Sequence, residues 1–102
     1  MHPFAATRAR YVAAMASAGR SLDTLDGLMA ELRAIDGLVV KGKTGSAFYF
    51  KSRAFLHFHG TSDALEADVR FGDGWERIAV HTVEQRGALV AAVRAHVLGP
   101  RP

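Results

Sequence analysis

The chain has 102 residues, no cysteine, 49% hydrophobic and 23% charged residues, and a formal net charge of +3. These values describe one ordinary globular domain spanning 1–102, and they exclude a disulfide scaffold, a cysteine-ligated zinc site and a thiol nucleophile. The pI near 9.8 invites a nucleic-acid reading, but the charge comes in successive blocks of +3, −3, +4, −3 and +2 that largely cancel.

At the N-terminus, Arg8 and Arg10 precede the mildly apolar run 11–18, which ends in the small-x-small triplet Ala16-Ser17-Ala18. The run is mostly alanine, so an amphipathic helix is preferred to a secretory leader. Phe4, Arg8, Tyr11, Val12 and Met15 recur at helical spacing, Pro3 suits the first turn, and Gly19 is a stop. A second helix is expected from Ser21 as N-cap, with Leu22, Leu25, Leu28, Met29, Leu32 and Ile35 forming one apolar stripe. Gly37 closes it. The two helices can also run together as one.

From residue 38 to residue 81 the period changes to two. Strands are expected at 38–41, 47–50, 54–59, 65–71 and 75–80, joined by connections too short for parallel crossovers. In the fourth, Leu65, Ala67, Val69 and Phe71 face one way while Glu66, Asp68 and Arg70 face the other. The sheet thus has a core face and a wetter face. Thr82 and Gln85 form a capping box for a final helix whose apolar face is Leu89, Val90, Val93 and Val97, with Gly99-Pro100 as its stop. The expected fold is α+β: an N-terminal helix or helix pair, a five-stranded antiparallel meander and a C-terminal helix.

Gly37, Gly42, Lys43 and Thr44 fit the phosphate-loop spacing, but that loop needs a strand before it and a helix after it. Here the order is inverted, and the match is rejected. Lys41, Lys43, Lys51 and Arg53 form the densest basic segment, which reads as lysines guarding strand edges rather than a phosphate track. Nucleic acid is not an expected partner, and no apolar run is long enough to span a membrane.

The triplet His57-Phe58-His59 carries the most chemistry. On a strand, i and i+2 share a face, so both imidazoles can converge on one metal ion or ligand. Asp68, Glu66 and His81 are the candidates for a third ligand. Pairing His57 with Asp68 and His59 with Glu66 assembles the cluster on the wet face. A one-residue slip sets the histidines beside Ala67 and Leu65 instead. The connection length leaves both registers open, and two partly buried histidines hydrogen-bonded to a carboxylate or carbonyl are preferred to a ligand pair. Trp75, the lone tryptophan, is either a pocket wall or a large core anchor.

The order Gly37-Leu38-Val39, Phe48-Tyr49-Phe50, Leu56-His57-Phe58-His59-Gly60, Ala67-Asp68-Val69-Arg70-Phe71 and Gly74-Trp75 resembles a family of small bacterial luciferase-domain proteins of unknown function. That resemblance, over about 23–97, implies that His57, His59 and Asp68 belong together.

The expected function is a cytoplasmic, homodimeric module that binds a small ligand or protein partner without catalysis, through His57, His59, Asp68 and Trp75. The alternative is a metal-binding or metal-assisted enzyme using the His-x-His pair with Asp68 or Glu66. No cofactor beyond a divalent metal is implied.

Overall fold

The computed structural model describes residues 21–42, 46–61 and 63–99. A 3-10 turn at Ser21–Asp23 leads into helix α1 (Leu25–Arg33), strands β1 (Leu38–Lys41), β2 (Ala47–Phe50), β3 (Arg53–His59), β4 (Glu66–Val69) and β5 (Glu76–Ala79), and helix α2 (Val83–Leu98). The strands form one antiparallel sheet in the order β1-β2-β3-β4-β5. The fold is therefore the expected α+β arrangement; the expected first helix, before Ser21, falls outside the described residues. Among the described residues no helix is long and apolar enough to cross a membrane.

Helix α1 starts three residues later than its apolar stripe suggests. Thr24, not Ser21, is the N-cap, and its hydroxyl accepts the Gly27 N–H at 3.0 Å. The Ser21–Asp23 turn still delivers Leu22 to the core beside Leu28, Met29, Leu32 and Ile35. Helix α2 begins as its capping box requires. Thr82 Oγ1 accepts from Gln85 N at 3.0 Å, and Gln85 Oε1 accepts from Thr82 N at 3.1 Å.

The face of the sheet toward the helices buries Phe48, Leu56, Ala67 and Val69, which join Leu89, Val90 and Val93 of α2 in one core. Strict alternation puts Phe55 on the opposite face, with His57. A bulge prevents this: Phe48 pairs with Leu56 but Tyr49 pairs with Ala54, so Phe55 has no partner on β2. Phe55 turns inward beside Leu56, and both are buried.

Arg86 is buried at the start of α2. Its Nε donates to the Val80 carbonyl at 3.0 Å, and its Nη1 donates to the carbonyls of Leu22 and Asp23 at 2.9 and 3.1 Å. One guanidinium thus ties the C-terminal helix to the turn before α1.

Gly60 ends β3 with φ +93°, and a Cβ there would lie 2.5 Å from the Ala64 carbonyl oxygen. The connection from β3 to β4 therefore requires glycine on two counts, backbone conformation and space. Gly60→Ala is expected to destabilise the fold by about 2–3 kcal/mol, read from urea denaturation. An unchanged midpoint overturns the claim that this turn depends on glycine.

Candidate functional site

The candidate site stands on the open face of β3, β4 and β5, opposite the helices. In the observed register His57 faces Asp68 and His59 faces Glu66, the first of the two alternatives. Asp68 in turn faces Arg77 of β5. The period of two keeps these side chains on one surface while Phe58, Ala67 and Ile78 go to the other.

Within the cluster the contacts run diagonally as well as straight across. His59 Nε2 lies 2.9 Å from Asp68 Oδ2, and His57 Nε2 lies 3.4 Å from the same oxygen. Diagonal pairs across an antiparallel ladder are within reach of long side chains. The imidazole rings meet edge to face, with centroids 4.6 Å apart. Glu66 is not part of this convergence; its carboxylate lies 4.0 Å from Arg77 Nε. His81 is elsewhere, lining a cleft with Asp23, Asp63 and Thr82 at the start of α2.

Trp75 is a wall rather than a core anchor. It is 43% exposed, its ring stands edge to face with His57 at 4.9 Å, and the Arg70 guanidinium lies 4.8 Å from its ring centroid. The indole so shields one side of the histidine pair and leaves the other to solvent.

Arg77 is the functional neighbour that was not singled out in the sequence. It donates to both carboxylate oxygens of Asp68, from Nε to Oδ1 at 2.9 Å and from Nη2 to Oδ2 at 3.1 Å. The available signal was its i+2 spacing from Trp75, which puts the two on one face of β5 once the strand is fixed. Hydrogen bonding from Arg77 is the largest influence on the Asp68 carboxyl. Against the opposing effect of burial, that bond, the Arg77 charge and His59 bring it from 3.8 down to about 2. Asp68 in return raises the Arg77 pKa.

Asp68 is therefore ionised near neutral pH and can only accept hydrogen bonds. It follows that the short 2.9 Å contact carries its proton on His59 Nε2. A divalent cation can take the place of that proton. Four ligands at the zinc distances of about 2.0–2.2 Å lie about 3.3–3.5 Å apart along a tetrahedral edge. The His57–Asp68 separation of 3.4 Å matches that edge, the His59–Asp68 separation of 2.9 Å is a hydrogen-bond distance that would open as an ion entered, and all three ligand atoms fall within 4.8 Å of one another.

No family model, curated protein or solved structure matches the chain. The luciferase-domain resemblance accordingly rests on its short motifs alone.

The sign of the Asp68 effect can be tested. Its folded-state pKa lies below its unfolded value, so its contribution to stability is present above about pH 4 and is lost as pH falls toward 2. Thermal unfolding of the wild type and of Asp68→Asn is expected to diverge above this window and converge within it. Parallel curves throughout would show that the Arg77 pairing contributes nothing to folding.

Proposed function

We propose that this protein is a divalent-metal-binding domain in which His57, His59 and Asp68 hold one ion of the Zn²⁺ class. The observation that carries the reading is the convergence of two imidazole Nε2 atoms on one carboxylate oxygen, at 2.9 and 3.4 Å. Two nitrogens and one oxygen from neutral histidines and an ionised carboxylate form a donor set suited to Zn²⁺ and to Fe²⁺. With cysteine absent from the chain, histidine and carboxylate are the ligands available for such an ion.

Three protein ligands leave at least one coordination position for water or another small ligand. Trp75, in contact with His57, would offer an apolar surface to a ligand bound at such an ion. This gives the small-ligand reading a physical form: the ligand binds to the ion and packs against the indole. No reaction is assigned to the site.

A homodimer through the open face is the less favoured use of this surface. The large apolar residues exposed on it among the described residues are Val39 and Trp75. Val39 is on β1, and Trp75 immediately precedes β5, at the opposite edge of the sheet. With strands about 4.8 Å apart, the two are too far separated to form one apolar patch. The strands between them carry His57 and His59 on β3 and Asp68 on β4. That distribution favours an ion and its ligand over an apolar subunit interface.

Calorimetric titration with Zn²⁺, checked by elemental analysis, is expected to give one ion per chain with release of protons near neutral pH. His57→Ala and His59→Ala should each lower affinity at least about 100-fold, and Asp68→Asn should do the same, with folding monitored by circular dichroism. Stoichiometric binding that survives His57→Ala sinks the assignment, as does no binding at micromolar metal.

A further inference from the structure

A second group of side chains sits where the β2–β3 turn approaches the last turns of α2. An open cleft of about 260 Å³ is lined there by Lys51, Arg53, Arg70, Phe55, Phe71 and His96, among others, and its lining contains no carboxylate. Its apolar wall is an aromatic cluster. The His96 ring stacks on Phe55, with centroids 5.4 Å apart and planes at 11°, and Phe71 meets Phe55 edge-on at 6.0 Å. Two of the cations are held at its edge by specific contacts. Lys51 Nζ lies 5.3 Å from the Phe50 ring centroid, and Arg70 donates to the Ala54 carbonyl.

The turn that presents Lys51 is itself unusual. Lys51 and Ser52 have φ of +54° and +66°, and they are the non-glycine residues with positive φ among those described. A two-residue hairpin turn of this hand favours Asn-Gly, because side chains other than glycine, asparagine and aspartate pay a steric penalty there. Lysine and serine keep the turn at a cost to stability, which points to a use for the side chain.

We infer that this cleft is a binding site for a small aromatic phosphate, with the ring against Phe71 and His96 and the dianion among Lys51, Arg53 and Arg70. Three cations without a neighbouring carboxylate match a doubly charged group better than a singly charged one. The aromatic wall supplies the contact that free phosphate cannot use. The cleft shares none of the proposed metal ligands, although its Arg70 also lies over Trp75, 4.8 Å from the ring centroid.

The test is calorimetry with phenyl phosphate, inorganic phosphate and benzoate as probes. The His57→Ala protein is used, so that an ion at the other site cannot supply the signal. Phenyl phosphate is expected to bind at least about tenfold more tightly than either of the other two, and more weakly as salt rises. Arg53→Met, at an exposed position, should lower its affinity about fivefold or more. Lys51→Asn combined with Ser52→Gly should weaken binding while raising Tm by about 4 °C, since it relieves the turn. Lack of saturation at about 10 mM phenyl phosphate, benzoate binding as tightly as phenyl phosphate, or affinity unchanged in both variants overturns the proposal.

Discussion

The pairing of β3 with β4 is the constraint on which both faces of this sheet depend. With Leu56 opposite Val69 and Phe58 opposite Ala67, the apolar members of both strands point to the helices. The intervening positions then bring His57, His59, Glu66 and Asp68 to the open surface. A slip by one residue would expose Ala67 and Val69 and bury the carboxylates, which a core of this size cannot accommodate. The histidine cluster is in this sense a by-product of core packing. The burial of Val69, Ala67 and Leu56 fixes the pairing, and the pairing fixes the site. Gly60 is where that choice is enforced locally, since its left-handed backbone and the nearby Ala64 carbonyl leave little freedom in the connection.

The same reasoning explains what could be read in advance. Strands β1 and β2 begin and end where the change to period two indicates, and the Thr82–Gln85 box marks the start of α2. These features are local: hydrophobic spacing and a cap four residues long carry them. The fate of Phe55 was not local. Its inward turn comes from a bulge against β2 and is completed by packing on His96 in a helix forty residues later. Thr24 replaces Ser21 as the cap because the Ser21–Asp23 turn carries Leu22 into the core before the helix begins. Arg86 reads from sequence as one more surface charge, yet two of the carbonyls it binds lie more than sixty residues earlier. For the site, the His-x-His spacing named the ligands, but two registers were open until the two strands were seen paired. Arg77 belongs to a third strand, so its role became visible only with β5 in place.

Arg77 also bears on how the proposed metal centre would work. In the absence of an ion, Asp68 carries one negative charge and is held by a bidentate arginine and by His59. The carboxylate is thereby ionised well below neutral pH and positioned before any metal arrives, so little proton loss from the acid is needed on binding. The proton to be displaced lies on a histidine. The two arginine contacts then have different consequences. The bond from Nε to Oδ1 is compatible with an ion on Oδ2 and resembles the outer hydrogen bonds that orient metal-bound carboxylates. The bond from Nη2 ends on Oδ2, the same oxygen that both histidines approach, and it competes with the ion.

Metal affinity should therefore be set by a balance on one oxygen atom. An incoming dication gains a pre-ionised ligand and two imidazoles, but it must displace one arm of an arginine and lie near that arginine's positive charge. The exposure of Arg77 tempers this opposition, because its guanidinium can shift toward solvent while Nε keeps its hold on Oδ1. An arginine in this position thus weakens binding through charge and strengthens it through orientation. The two effects separate chemically, since the first depends on salt and the second on geometry. A lysine at the same position would retain the charge but lose the planar fork, removing the orienting bond while leaving the repulsion. The Nε–Oδ1 bond, which can outlast the loss of the Nη2 arm, is what would make Arg77 compatible with the proposed metal at Asp68.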